Sequence, residues 1–170
     1  WALIIFYLRV RFHEYKYGIA AVAALVHDVL VALVAVVVVN RFGIVDAEIN
    51  LNMIACFLTI IGYSVNDTIV IFDRIRENLV RHAGAPFGDI VNHSIVQTLG
   101  RSFNTTATVL ITLLTLLVFA GGSIRTFVLT LFVGILSGTY SSIFNASPLL
   151  VWWEERAQAR KAAAARTRTA

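Results

Sequence analysis

Charge is what this chain has least of for its length. Only 14% of its 170 residues are Asp, Glu, Lys or Arg, against about 25% in an ordinary soluble domain. A water-facing globule is therefore excluded as the natural class. One cysteine, Cys56, is present, so the sequence holds no disulfide framework and no multi-cysteine metal centre. No G-x-x-x-x-G-K-[ST] string occurs, which excludes a P-loop nucleotide motor. Gly62-Tyr-Ser-Val-Asn66 falls one residue short of G-x-S-x-G and lacks its strand–turn–helix setting, which argues against a serine hydrolase. Basic residues lie at the edges of apolar runs without interleaved aromatics, so no nucleic-acid partner is expected. Neither enzymatic activity, nor a cofactor, nor a metal follows from any motif.

Apolar residues are what is abundant. They make up 58% of the chain, and the mean hydropathy is +0.78, which predicts an all-α polytopic membrane protein. Four segments approach or exceed the ~20 residues that cross a bilayer as a helix: 18–39, 50–72, 103–120 and 125–148. The opening run, Trp1 to Leu8, would rise only about 12 Å, so 1–8 is expected to be the end of a truncated transmembrane helix. Residues 40–50 form a short polar loop, and Gly121-Gly122-Ser123 marks a tight turn that makes the last two spans a hairpin. The long connection 73–102 is broken at Gly84 and Pro86. Beyond the break, Val91, Ile95, Leu99 and Phe103 recur every four residues, the pattern of an amphipathic helix at the membrane interface.

Alternate loops divide the Lys and Arg residues unevenly. Twelve fall on one side, at 9–16, 74–101 and 156–168, against Arg41 and Arg125 on the other. The positive-inside rule makes the twelve-charge side cytoplasmic. The glycosylation-like triplets at Asn66, Asn92, Asn104 and Asn145 then lie in spans or on that side and are chance matches. Trp152 and Trp153 fall where an aromatic belt anchors the last span. The Ala/Arg-rich stretch 154–170 is expected to be a basic cytoplasmic tail, either solvated and frayed or drawn to anionic lipid.

Asp67 stands out within the 50–72 span. A carboxylate there costs roughly 2.5–3.5 kcal/mol on insertion scales and ordinarily faces a protein interior. It lies six residues before Asp73, about 9 Å inside the helix end. Arg101 begins the next span, and its side chain reaches a similar depth. Two readings follow: a static ion pair (or an Arg snorkelling to headgroups), or a proton-responsive pair. In the second, burial and the nearby Arg oppose each other in setting the protonation of Asp67. Ser64 shares a helix face with Asp67, Asn66 lies on the neighbouring face, and both are supporting candidates. Asp28, beside His27 near the midplane of the 18–39 span, is either a second proton group or a hydrogen-bonding group that fixes helix packing. Thr105, Thr108, Thr112 and Thr115 form a stripe that either bonds to carbonyls and neighbouring helices or lines a narrow wet path. Gly134 to Gly138, extended by Ser141, Ser142 and Asn145, reads as a small-residue face for close helix contact.

The string Ile60-Ile-Gly-Tyr-Ser-Val-Asn-Asp-Thr-Ile-Val-Ile-Phe-Asp-Arg-Ile-Arg-Glu-Asn78 closely resembles the signature of SecF. So do Arg11-Phe-His-Glu-Tyr-Lys-Tyr-Gly18, Leu25-Val-His-Asp28, Gln97-Thr-Leu-Gly-Arg-Ser-Phe-Asn-Thr105 and Gly138-Thr-Tyr-Ser-Ser-Ile-Phe-Asn-Ala-Ser-Pro-Leu-Leu150. SecF is the smaller membrane subunit of the SecD–SecF export complex. The Tyr-Ser-Val-Asn-Asp-Thr run favours SecF over SecD, and the likeness runs over nearly the whole chain as the family's second half. The resemblance implies an RND-like transmembrane bundle with an interfacial cytoplasmic helix. It implies partnership with SecD, action beside the SecYEG channel on translocating preproteins, and use of the proton-motive force in the bacterial inner membrane. It maps the family's proton path onto Asp67 and Arg101, with a further essential acid belonging to SecD. The family's first span and extracytoplasmic domain would precede Trp1. A proton-coupled small-molecule exporter of the RND type and a purely structural translocon partner are the other readings.

Overall fold

The computed structural model describes residues 2–12, 14–43, 51–119 and 121–169, and among these every regular element is helical. Helix α1 (Ala2–Phe12) packs beside the start of α2 (Tyr15–Arg41); α3 (Leu51–Arg81), α4 (Phe87–Phe119), α5 (Gly122–Ser141) and α6 (Ser147–Thr169) follow. A single π-helical turn, Ser142–Ala146, joins α5 to α6. Pro148, just inside α6, contributes no backbone donor, and the Ser147 hydroxyl bonds back to the Ser142 carbonyl at 3.0 Å. Among the described residues, four helices are long and apolar enough to cross a membrane: Tyr15–Arg41, Leu51–Arg81, Phe87–Phe119 and the joined Ile124–Arg160.

Chain reversals fall where backbone chemistry demands them. After α2, Gly43 adopts φ 69°, and its N–H bonds to the Asn40 carbonyl at 2.9 Å, a helix stop that glycine makes without strain. Gly84, at φ 101°, turns the chain between α3 and α4 ahead of Pro86. The polar residues Asp46 and Glu48 of the 40–50 loop lie outside the described residues.

No break separates the stretch 88–102 from the span expected at 103–120; Phe87–Phe119 is one helix. At 33 residues it runs about 50 Å, well beyond a ~30 Å hydrocarbon core. The reason is a partner of equal reach: α3 also overruns the membrane, and the extra turns of the two pair antiparallel. Asn78 Nδ2 donates to Ser94 Oγ at 2.8 Å, and Arg74 Nε donates to Gln97 Oε1 at 2.7 Å. The tail from 154, expected to be either solvated and frayed or drawn to anionic lipid, is helical to Thr169, as its Ala, Arg and Lys content favours.

Two apolar clusters and a polar layer organise the interior. One cluster gathers Leu8, Phe12, Tyr17, Ile71, Phe72, Ile75, Val91 and Leu150, with Phe12, Tyr17 and Phe72 ring centroids 5.2–6.1 Å apart. The other joins Ala32, Cys56, Ile60, Leu113, Val128 and Ile135. Between them lie buried Asp28, Ser64, Thr68 and Ser142.

Candidate functional site

The polar layer is built around α3, whose residues Ser64 and Asp67 sit one turn apart. On one side Ser64 meets α2 and α5. A Cβ at Gly138 would stand 3.0 Å from the Ser64 Cβ and 3.5 Å from Asp28 Oδ2, so glycine lets the three helices close at this level without displacing Ser64. Asp28 is completely buried. Its Oδ2 accepts from Ser64 Oγ at 2.7 Å, its Oδ1 accepts from Ser137 Oγ at 3.1 Å, and His27 Nδ1 lies 3.3 Å from Oδ1. One carboxylate thus joins three helices, with both oxygens engaged. Thr68 and Ser142 add a hydroxyl pair at 2.9 Å.

On its other side α3 meets α4, and here Asp67 is served differently. Ser102 Oγ donates to Asp67 Oδ1 at 2.6 Å. Asp67 Oδ2 is buried and has no hydrogen-bond partner among the described residues. Arg101 stays exposed and forms no ion pair with Asp67 among the described residues, although it is near enough to act on Asp67 electrostatically. The sequence expectation of a direct pair is therefore met by a different geometry, in which a neutral hydroxyl occupies the position beside the carboxylate. Of the supporting candidates, Ser64 belongs to the Asp28 cluster and Asn66 points outward, exposed.

A cleft of about 300 Å³ opens between α3 and α4, lined by Val70, Asp73, Arg74, Glu77, Gln97, Thr98 and Arg101. Val70 and Thr98 stand one turn from Asp67 and Ser102, so the cleft runs from the charged helix ends toward the buried carboxylate. At its outer end, beyond the apolar segment, a hydrogen bond from Arg74 at 2.5 Å holds the Glu77 carboxyl below the ordinary Glu range. Arg11 reaches Asp73 at 2.8 Å and Lys16 reaches Glu154 at 2.6 Å. Residues from α1, α2, α3 and α6 that the loop count assigned to one side thus meet at one end of the bundle.

Sequence reasoning missed Ser102 and Ser137. The available signal was the row Ser94, Thr98, Ser102, Thr106 at four-residue spacing, all buried, whereas Leu99 and Phe103 of the apolar row are 47% and 69% exposed. In lipid, the Leu99 and Phe103 end of the apolar row faces outward while its Val91 end packs into the core, and the hydroxyl row seeks protein partners. The neighbouring threonines Thr105, Thr108, Thr112 and Thr115 each donate to the carbonyl four residues back, which resolves that stripe as self-bonded.

The chain matches, over residues 1–156, the family described as protein export membrane protein SecD/SecF, C-terminal. It belongs to that family. It is 52% identical over 154 residues to the protein translocase subunit SecF of Thermobaculum terrenum, covering 90% of this chain and 48% of that protein. It is 43% identical over 165 residues to the SecDF of Thermus thermophilus, covering 96% of this chain and 21% of that one. The crystal structure of SecDF in a super-membrane-facing form superposes with a TM-score of 0.83 at 41% identity, over 95% of this chain and 21% of the SecDF chain. The chain therefore spans about half the length of the SecF relative and about a fifth of SecDF. The resemblance to the SecF signature and the all-helical membrane fold expected from it both hold.

Proposed function

We propose that this chain is the second membrane half of a SecF-type translocase subunit, and that Asp67 is its proton acceptor. The observation that carries the reading is the state of the Asp67 carboxylate. It lies within a membrane-length helix, is held by one hydroxyl at 2.6 Å, and keeps one buried oxygen without a partner among the described residues. A cleft lined by ionisable groups leads toward it, and Arg101 stands on the adjacent helix to respond when its charge changes. Protonation at Oδ2 would remove the attraction between Asp67 and Arg101 and change the α3–α4 contact. Each charge crossing the field contributes about 2.3 kcal/mol per 100 mV, enough to bias two helix arrangements of similar energy.

The relatives named SecDF place SecD and SecF sequences in one polypeptide, which supports SecD as the partner. A solved SecDF is described as a translocon-associated membrane protein, which supports action beside a SecYEG channel on preproteins. In this reading the chain lies in the bacterial inner membrane, with the helix ends and turns of 9–17 and 73–102 and the C-terminus cytoplasmic. The test is preprotein translocation into inverted vesicles carrying the full-length subunit and SecD, with and without an imposed proton gradient. Asp67→Asn should remove the gradient-dependent increment and leave ATP-driven steps intact. Arg101→Lys should reduce the increment, because an ammonium does not reproduce the guanidinium fork. Full retention of the increment in Asp67→Asn would make Asp67 a structural residue and favour a purely structural translocon partner.

A further inference from the structure

The contact between α3 and α4 at the charged end is a ladder of polar rungs. Outermost, Asn78 Nδ2 donates to Ser94 Oγ at 2.8 Å and to Gln97 Oε1 at 2.9 Å. Arg74 Nε donates to the same Gln97 oxygen at 2.7 Å. The innermost rung is Ser102 Oγ to Asp67 Oδ1, and it is the one rung with a carboxylate. The contact of α3 with α5 is of another kind. A Cβ at Gly134 would come within 2.3 Å of Ile60, and Ser64 fills the space over Gly138, so shape interlocks these two helices. A shape-locked contact resists sliding, whereas hydrogen bonds between side chains can re-pair. The part of the bundle able to answer a change at Asp67 is therefore α4, and Ser102 is where α4 touches the carboxylate.

We infer that Ser102 is a positioning residue for the proton step, holding ionised Asp67 against α4 through Oδ1 and leaving Oδ2 as the oxygen that takes the proton. The inference rests on the proposed role of Asp67. A hydroxyl has a single proton to donate, and given to Oδ1 at 2.6 Å it favours the ionised form of the carboxyl. Ser102 itself is 3% exposed, so water does not compete for that donor. The other charged or titratable groups around Asp67 are few. Arg101 stands on α4; Tyr63, Asp73 and Arg74 stand on α3 itself. On α2, Asp28 is turned to Ser64 and Ser137, while α5 and the π turn bring the hydroxyls of Thr139 and Ser142 into the same layer. Thr139 is engaged with Thr106 at 2.8 Å and Ser142 with Thr68, so Ser102 is the neutral donor committed to Asp67.

The test measures the gradient-dependent translocation increment from about pH 5.5 to 9 for the full-length subunit with SecD, comparing wild type, Ser102→Ala, Ser102→Thr and Asp67→Asn. Loss of one neutral hydrogen bond to the ionised form should move the midpoint of the Ser102→Ala profile to higher pH by about half to one unit. Ser102→Thr keeps a hydroxyl and should restore the wild-type midpoint. A wild-type midpoint in Ser102→Ala overturns the inference, as does a shifted midpoint that Ser102→Thr fails to restore. If Ser102→Ala does not insert, Ser102→Cys replaces it: its weak S–H donor predicts the same upward shift, and an unshifted profile overturns the inference. Asp67→Asn separates the two proposals. An increment that survives it sinks the proton-acceptor reading, whereas its loss beside an unshifted Ser102→Ala sinks the positioning role alone.

Discussion

Asp28 and Asp67 are both carboxylates inside the bundle, but their oxygens are served differently. Asp28 has donors on both oxygens and no exposure; Asp67 has one donor and one orphan oxygen. A fully satisfied buried carboxylate fastens helices, and removing it strands its partners. Asp28→Ala leaves the Ser64 and Ser137 hydroxyls without their acceptor, a loss of about 1–3 kcal/mol for each orphaned group. Asp67→Asn keeps an acceptor for Ser102 and should cost less than about 1 kcal/mol. Thermal unfolding of the two variants in detergent checks the contrast: a clear fall in Tm for Asp28→Ala and little change for Asp67→Asn. We propose that, of its two readings, Asp28 serves helix packing. Asp67 was legible in the sequence because depth follows from counting residues to the helix end. Ser102 was not, because hydroxyls occur on two adjoining rows of α4 and spacing alone does not say which row faces protein.

At the scale of the helix, the glycines of α5 set how closely α3 approaches. A Cβ at Gly138 meets the Ser64 Cβ, an atom fixed to the backbone, at 3.0 Å. Gly138→Ala should force α3 and α5 apart and weaken the Ser64–Asp28 bond, costing about 1–3 kcal/mol. Gly62 lies in a helix with nothing within 4 Å of its would-be Cβ. Gly62→Ala should therefore be neutral or stabilising by up to about 1 kcal/mol through helix propensity. Chemical or thermal unfolding of the pair distinguishes close packing from propensity: a Gly138→Ala as stable as wild type would contradict the packing account. The small-residue face of α5 was legible because Gly134 and Gly138 fall on one side at helical spacing. The boundary expected near residue 102 was not, since it depends on whether α3 also extends past the membrane and offers Asn78 and Arg74 as partners. The apolar pattern predicts that the last span ends near 148, where the π turn and Pro148 instead pass the helix on into α6.

For the whole molecule, the division of basic residues is the feature the sequence states most openly. The contacts Arg11–Asp73 and Lys16–Glu154 draw α1, α2, α3 and α6 together at the end that carries most of the charge. With that end cytoplasmic, a cysteine at Ala83 should resist an impermeant thiol reagent applied to intact cells, while one at Gly43 should react. Cys56 is buried and supplies little background. Labelling at Ala83 from outside would reverse the orientation. The assembly's central claim is that a carboxyl at Asp67 gains and loses a proton within the working pH range. Infrared difference spectroscopy of the full-length subunit with SecD in lipid reads this directly through the C=O stretch of a protonated carboxylic acid. The account predicts a band that grows as pH falls, vanishes in Asp67→Asn, and persists in Asp28→Asn. A spectrum without a titrating band, or one whose band survives Asp67→Asn, would contradict it.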